Sequence, residues 1–270
     1  MGQSRRVFLR AVLAAGLLLS LSCLAGCSRS SQTVTEAGST TLQPVAEMLA
    51  EAFMKEHGTV EVVIQGGGSS VGIESCAKGT VDIGASSREL KAGEPDLTRH
   101  LLARDAIAVI VHKDNQVAGL TKGQIRDIFA GGITNWEEVG GKDQAIHVAA
   151  REEGSGTRST FEGLVMGDER VTKGAILESS NGMLRLVVAG DTQAISFVSY
   201  GYVDSSVKAL AIDGVELTAE NAKGGTYPLV RPLYFLTRGG PEGLVKEFID
   251  FCLGVEGQSI VEQEGYLSAL

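Results

Sequence analysis

From residue 33 onward, short apolar runs alternate with longer segments in which apolar residues recur every three or four positions. In the segment 42–57, Val45, Leu49 and Phe53 fall on one face of a helix. The segment 107–112 is apolar up to its closing histidine, which is typical of a buried strand. The predicted strands cover residues 33–37, 60–65, 81–85, 107–112, 145–150, 194–198 and 229–236. The predicted helices cover residues 42–57, 71–78, 121–129, 158–165, 183–189, 241–253 and 259–264.

This alternation predicts an α/β fold with mostly parallel sheets. Thr121 and Gln124 form a capping-box pattern at the start of one predicted helix. In sheets of this kind, ligands bind where the carboxyl ends of strands open into helices. The junctions between predicted strands and helices are therefore the places to search for a site.

Four of these junctions share one pattern, in which a strand is followed by glycine, a pair of Ser or Thr residues and a helix. They are Gly38-Ser39-Thr40-Thr41, Gly66-Gly67-Gly68-Ser69-Ser70, Gly84-Ala85-Ser86-Ser87 and Arg151-Glu152-Glu153-Gly154-Ser155-Gly156-Thr157. A helix N-terminus offers free N–H donors and a partial positive charge, and hydroxyls add further donors. One such junction alone is usually only a helix cap. Four of them, one with the planar cation of Arg151, predict a cage for a small tetrahedral anion.

The N-terminal segment is typical of an export signal. Arg5, Arg6 and Arg10 precede an apolar run at 11–21, which is too short to span a bilayer comfortably, and the run leads to Leu-Ala-Gly before Cys27. This order resembles the lipobox of bacterial lipoproteins and predicts a signal peptide at 1–26, lipid on Cys27 and a polar tether at 27–32. A generic signal peptide and an N-terminal anchor helix are the alternatives. The arginine pair fits twin-arginine export and the general secretory route equally well.

Composition narrows the possible partners. Hydrophobic residues make up 43% of the chain and charged residues 21%, which is typical of a globular protein, and 35 glycines indicate many tight turns. Without residues 1–26 the chain holds 21 basic and 33 acidic residues, a net charge of −12, which argues against nucleic acid. Cys76 and Cys252 could pair outside the cytoplasm, or could be small buried residues. No cysteine or histidine cluster suggests a metal site.

The four junctions, in this order and spacing, resemble those of the phosphate-binding components of bacterial phosphate ABC importers. The resemblance runs from about residue 33 to the C-terminus. It implies a type II periplasmic-binding-protein fold, with two α/β lobes, mixed and mainly parallel sheets, two crossing strands and a ligand cleft between the lobes. Because Arg151 falls in a different half from the first three junctions, the lobes must be discontinuous. We expect lobe one at 33–112 and 229–270, and lobe two at 113–228, with crossings near 112–115 and 228–231.

The resemblance also implies roles for particular residues. The expected phosphate-binding residues are Thr40, Thr41, Ser69, Ser87, Arg151, Ser155, Gly156 and Thr157. Glu153 occupies the place of a carboxylate that orients the arginine. At Ser87 the chain departs from the family, which has an aspartate there that accepts the proton of phosphate. Serine can donate or accept, so phosphate still fits, but discrimination against sulfate is weakened.

The function implied is that of an exported, lipid-anchored receptor in the periplasm or on the outer face of the cytoplasmic membrane. It would bind inorganic phosphate and deliver it to the transmembrane subunits of an ABC importer, as a monomer without cofactor or metal. Receptors or sensors of sulfate or molybdate are the first alternative. An enzyme is the second, but none of the four histidines accompanies a nucleophile motif such as Gly-x-Ser-x-Gly.

Overall fold

The computed structural model describes residues 32–270. The predicted signal peptide, Cys27 and nearly all of the predicted tether lie outside the described residues. The strands are β1 (Gln32–Gly38), β2 (Val60–Gly66), β3 (Ile83–Ser86), β4 (Thr98–His112), β5 (Gly119–Leu120), β6 (His147–Arg151), β7 (Ile176–Glu178), β8 (Ala194–Ser199), β9 (Val207–Ala209), β10 (Ala211–Ile212), β11 (Val230–Thr237) and β12 (Leu267–Ser268). The helices are α1 (Gln43–Glu56), α2 (Ser69–Lys78), α3 (Lys122–Ala130), α4 (Gly156–Phe161), α5 (Asn181–Gly190), α6 (Ala219–Lys223), α7 (Gly243–Leu253) and α8 (Val255–Gln263).

Most strands belong to one mixed sheet, with the order β2-β1-β3-β11-β4-β8-β6-β7. At its flanks, β1 pairs in parallel with β3, and β6 pairs in parallel with both β7 and β8. In the middle, β11 runs antiparallel to both β3 and β4. The parallel flanks place the strand-to-helix junctions of each half at the carboxyl ends of their strands. The predicted α/β class with mixed sheets is confirmed.

Two large hydrophobic cores share the central strands β4 and β11. The first core contains Val34, Leu49, Phe53, Leu102, Ala103, Leu233, Phe235 and Phe248 among others. The second core contains Ala106, Ile107, Phe129, Trp136, Phe161 and Phe197 among others. β4 passes from the first core to the second between Ala103 and Ala106, and β11 joins them too, since Leu233 lies in the first and Val230 packs against the second.

Local sequence signals explain most elements. In α1 the predicted stripe of Val45, Leu49 and Phe53 is buried. The predicted capping box is confirmed, with the Thr121 side chain accepting from the Gln124 N–H and the Gln124 side chain accepting from the Thr121 N–H.

The main difference from the predicted elements is β4, which begins nine residues earlier than the predicted strand at 107. Charged residues such as Arg99 and Arg104 interrupt the apolar pattern there. The strand forms nevertheless, because residues 98–106 pair with β11 from Thr237 to Val230. Tertiary pairing thus overrides a weak local pattern.

The structure decides between the two roles considered for the cysteines. Cys76 and Cys252 are both buried and unpaired. Cys76 lies in a small apolar cluster with Ile73 and Leu236, and its thiol donates to the Leu236 carbonyl at 3.3 Å. Cys252 belongs to the first core. Both are small buried residues, and burial raises the pKa of each thiol.

Candidate functional site

The first junction joins β1 to α1 and is held tightly against β3. A Cβ atom on Gly38 would lie 2.2 Å from the carbonyl oxygen of Ala85, so only glycine permits this approach. After it, the Thr40 hydroxyl oxygen is buried and has no hydrogen-bond partner within residues 32–270. The Thr41 N–H donates to the Ser39 hydroxyl at 3.2 Å. A buried hydroxyl without a partner is costly, so this oxygen keeps unused hydrogen-bonding capacity next to the other junctions.

The second and third junctions meet through two buried serines. Ser69 opens α2 and Ser87 follows β3, and both are almost fully buried. The Ser87 N–H donates to the Ser69 hydroxyl oxygen at 3.0 Å, and the two hydroxyl oxygens lie 3.3 Å apart. Either hydroxyl can donate to the other, so this pair can offer a donor or an acceptor to a neighbouring group.

The fourth junction reaches both serines and the first junction. A Cβ atom on Gly156 would lie 2.2 Å from the Ser69 hydroxyl oxygen and 2.5 Å from that of Ser87. The Thr157 hydroxyl oxygen lies 3.1 Å from the hydroxyl oxygen of Thr41. The four junctions that the sequence singled out therefore converge in space.

Ser155 has a local role at this convergence. Its hydroxyl accepts a hydrogen bond from the Arg158 N–H at 3.2 Å and so caps α4. The hydroxyl proton of Ser155 makes no hydrogen bond to another described residue. Ser155 can therefore cap its helix and donate to a ligand at the same time.

Arg151 ends β6 and is 3% exposed. Its Nε donates to the carbonyl of Glu178 at 3.2 Å, and its Nη2 donates to the carbonyl of Ser179 at 2.6 Å. Its Nη1 makes no hydrogen bond to any residue in the described part of the chain. Burial, with a smaller contribution from the charge of Arg231, lowers the pKa of Arg151 to about 10, so the group remains cationic at neutral pH. The structure thus holds a buried cation with donors to spare.

Glu153, expected to orient this arginine, is exposed. No hydrogen bond or ion pair joins it to Arg151 among the residues from 32 onward. The guanidinium is held instead by the two backbone carbonyls at the end of β7. A loop carbonyl leaves no pattern in the sequence, which is why an adjacent carboxylate was the visible candidate.

A second buried guanidinium, that of Arg231 on β11, was not singled out from the sequence. Its Nε and Nη2 both bind Asp105 Oδ2, at 3.0 and 2.7 Å, and both side chains are fully buried. Its Nη2 also donates to the Thr41 hydroxyl at 3.1 Å, and its Nη1 donates to the Ser87 carbonyl at 3.3 Å. The available signal was a charged residue inside each of two apolar segments, which indicates a paired buried charge.

Two tyrosines fasten the first junction. Tyr202 donates its hydroxyl to the Thr40 carbonyl at 2.8 Å, and Tyr266 donates its hydroxyl to the Thr41 carbonyl at 2.7 Å. Burial raises the pKa of Tyr202 to about 12, so its hydroxyl remains a donor at neutral pH. These bonds fix the backbone that presents Thr40 and Thr41.

Taken together, the buried charges at the convergence favour an anion. Arg151 and Arg231 contribute two positive charges and Asp105 one negative charge, which leaves one buried positive charge without a carboxylate partner among residues 32–270. The groups around them are hydroxyl and N–H donors. Within residues 32–270 no cluster of His, Cys, Asp and Glu has the arrangement of a metal site. In the same range no helix combines the length and apolar character that crossing a membrane requires.

Comparisons with known proteins show which family the chain belongs to. The model of the PBP superfamily domain matches residues 25–256. The phosphate-binding protein PstS of Bacillus subtilis (strain 168) is 36% identical over 248 residues, which cover 90% of this chain and 82% of that protein. A phosphate ABC transporter substrate-binding protein from Clostridium perfringens, solved with bound phosphate, is 40% identical with a TM-score of 0.85, covering 88% of this chain and 100% of that one. An ABC-type phosphate transport receptor from Vibrio cholerae is 38% identical with a TM-score of 0.75, covering 87% and 99%.

Proposed function

Since the chain belongs to the PstS phosphate-binding proteins of the PBP superfamily, we propose that it is a receptor that binds inorganic phosphate for a membrane ABC importer. The observation that supports this most strongly is the convergence of four donor-rich junctions beside a buried, unneutralised guanidinium. A small anion would satisfy donors that the protein leaves without partners.

In this proposal the phosphate contacts come from every junction. Of the residues predicted from the sequence, those that would contact the anion are Thr40, Ser69, Ser87, Arg151, Ser155, Gly156 and Thr157. Thr41 would act through Thr157, because its N–H donates to Ser39 and its hydroxyl lies against the Thr157 hydroxyl. Arg151 would bind through its free Nη1, while the carbonyls of Glu178 and Ser179 hold the rest of the guanidinium. The Thr40 hydroxyl would gain the hydrogen-bond partner that it lacks among residues 32–270. Glu153 has no place in the proposed contacts.

We propose that the protein delivers phosphate and catalyses no reaction. A hydrolase would need a base in hydrogen-bond reach of a nucleophile. In the described residues, the ring of His147 pairs with Asp191 and that of His100 with the Thr237 hydroxyl. No histidine in this range forms a hydrogen bond with a residue of the proposed site.

Calorimetric titration of the purified protein with phosphate, sulfate and molybdate tests the proposal. We expect one phosphate per chain, bound more tightly than the other two anions. Preference for sulfate or molybdate would establish the alternative receptor, and hydrolysis of a phosphate ester that depends on Ser155 would establish an enzyme.

We propose further that Cys27 anchors the exported protein, at the outer face of the cytoplasmic membrane or in the periplasm. The support is the order of basic residues, apolar run, small residues and Cys27 at the N-terminus. Replacing Cys27 by serine should abolish incorporation of labelled lipid and leave phosphate binding unchanged. Lipid on the serine variant would refute the anchor.

The proposed lobes follow the two cores. Along β4 the cores exchange between Ala103 and Ala106, and along β11 between Val230 and Leu233. These positions support crossings earlier on β4 than the predicted 112–115. We therefore propose that the cleft closes about the middle of β4 and β11, next to Asp105 and Arg231.

A further inference from the structure

Arg231 lies where β4 and β11 pass from one hydrophobic core to the other. It forms hydrogen bonds with two of the four junctions. Asp105, its ion-pair partner, is also its register partner across the two strands. Of the five N–H donors on the guanidinium, two go to Asp105, one to the Thr41 hydroxyl and one to the Ser87 carbonyl. The contact with Thr41 is the one that constrains the direction of a hydroxyl proton in the proposed cage.

Asn181 provides a second donor to the same hydroxyl. Its Nδ2 lies 3.0 Å from the Thr41 hydroxyl oxygen. Its Oδ1 accepts from the Ser199 N–H at 3.2 Å, which fixes the amide with its NH₂ group toward Thr41. Asn181 is fully buried, so water does not compete for this bond.

These two donors determine where the Thr41 proton points. A hydroxyl oxygen has two lone pairs and one proton. Arg231 and Asn181 occupy both lone pairs of Thr41, so its proton is left for the Thr157 hydroxyl oxygen 3.1 Å away. Thr157 therefore accepts from Thr41, and its own proton must point elsewhere.

The Thr157 hydroxyl proton has no acceptor within residues 32–270. Thr157 is 1% exposed, and the only hydrogen-bond partner of its hydroxyl among residues 32–270 is the Thr41 hydroxyl. A buried donor without an acceptor is unfavourable, and its position at the convergence of the junctions leaves the bound anion as its acceptor.

We propose that Arg231 is a positioning residue which, together with Asn181, makes the Thr157 hydroxyl an obligate donor to the bound anion through Thr41. This inference rests on the proposed function, and it assigns different hydrogen-bonding roles to the hydroxyls of the cage. Thr157 faces an unprotonated oxygen of the ligand. A protonated oxygen of hydrogen phosphate then has to lie at a hydroxyl that can still accept, such as those of the Ser69–Ser87 pair, which can reverse direction.

The hydrogen bonds from Arg231 and Asn181 to Thr41, and from Thr41 to Thr157, form a path to the anion. Calorimetry with phosphate and sulfate tests this path on Thr41→Val, Thr41→Ser, Arg231→Lys and the double variant of Thr41→Val with Arg231→Lys. Thr41→Val should weaken phosphate binding about tenfold to a hundredfold, the range of a hydrogen bond to a charged group, while Thr41→Ser retains it. Arg231→Lys keeps the charge and loses the directed fork, so it should also weaken binding. When Thr41→Val and Arg231→Lys are combined, the loss of phosphate affinity should stay within about twofold of that in Thr41→Val alone, because Thr41→Val already breaks the path.

The sulfate titrations distinguish the path from general structural damage. Without Thr41, the Thr157 hydroxyl can turn and accept the proton of hydrogen phosphate, but sulfate offers no proton. Thr41→Val should therefore lose more affinity for sulfate than for phosphate. Should Arg231→Lys not fold, the two Thr41 variants with both anions still test the path.

Arg88→Lys is the matched control. Arg88 is likewise buried and bound by a carboxylate, that of Glu94, but it makes no hydrogen bond to Thr41. We expect its phosphate affinity to stay within about twofold of wild type. Additive losses for Thr41→Val and Arg231→Lys, or equal losses for both anions, would overturn the inference. A wild-type protein that binds no phosphate would instead overturn the proposed function.

Discussion

Individual side chains at the site divide into cations, hydroxyls and the groups that hold them. Arg151 keeps Nη1 free, whereas Arg231 is bound to Asp105. The positive charge available to an anion therefore resides mainly on Arg151. Because both guanidinium groups are buried, water does not readily compensate for the removal of either of them.

Arg151→Ala should consequently weaken phosphate binding by roughly 3–5 kcal/mol, because a buried dianion would lose its charged partner. Arg151→Lys should recover only part of this loss, since a point charge does not reproduce the planar fork. Titration calorimetry measures both. Unchanged affinity in the alanine variant would place the anion elsewhere.

Ser87 should set the preference between anions. In Ser87→Asp, a carboxylate beside Ser69 would accept the proton of hydrogen phosphate and repel sulfate. The ratio of phosphate to sulfate affinity should rise tenfold or more, since a hydrogen bond to a charged group contributes about 1.5–3 kcal/mol. Competition titrations on both proteins measure the ratio. Equal selectivity would mean that residue 87 does not face the ligand.

Glu36, in β1, should make stability depend on pH. It is 2% exposed, and burial, reinforced by the charge of Glu47, raises its pKa well above the ordinary value. The folded state thus keeps a proton that the unfolded chain releases above about pH 4.3. The free energy of unfolding should therefore fall as pH rises through the interval between the unfolded and folded pKa values, by up to about 1.4 kcal/mol per pH unit.

Glu36→Gln should remove this slope, measured by denaturant unfolding at several pH values. Glu51→Gln, on the exposed side of α1, is the matched control and should leave it in place. A slope that survives in Glu36→Gln would assign the pH dependence to another group.

At the scale of elements, the site depends on how closely helices approach the ends of strands. α2 packs on β1 and β3 through Gly72. A Cβ atom there would lie 2.6 Å from the Ala37 carbonyl oxygen and 2.7 Å from that of Ala85. Glycine inside a helix is intrinsically unfavourable, so this close contact is the reason that it is tolerated.

Gly72→Ala should therefore destabilise the protein by about 1–3 kcal/mol, although alanine favours helices, because two backbone segments must move. Gly123→Ala in α3 is the control, since a Cβ atom there would meet only the Thr121 hydroxyl at 3.9 Å. It should be neutral or stabilising by up to about 1 kcal/mol. Urea unfolding compares the two, and equal effects would refute the packing role of Gly72.

At the scale of the molecule, residues of both cores meet around the proposed ligand. Thr41 adjoins Leu42 of the first core, and Gly156 and Thr157 belong to the helix that contributes Phe161 to the second. A bound anion would add hydrogen bonds to both sides at once. Because the unfolded chain lacks this arrangement, binding should stabilise only the folded molecule.

Phosphate at a hundred times its dissociation constant should add about 2.7 kcal/mol to the free energy of unfolding. For a domain of this size, that corresponds to a rise in Tm of about 5–11 °C in calorimetric melting. Arg151→Ala at the same phosphate concentration should show little of this rise. An unchanged Tm in the wild type would contradict the proposed site.

The sequence by itself determined the α/β class, most helix and strand positions and the four junctions. These features are local: periodicity, glycine and hydroxyl pairs, and caps are read within a few residues. Arg151 was found in the same way, because it lies three residues before the Gly154-Ser155-Gly156-Thr157 segment.

Only the tertiary structure decided how these parts act together. Asp105 and Arg231 are 126 residues apart in sequence, and Thr41 meets Asn181 across 140. The first half of β4 exists because β11 pairs with it, and Arg151 is oriented by carbonyls rather than by Glu153. Such contacts are set by strand pairing and by the direction of backbone groups, and neither leaves a local signal in residue order.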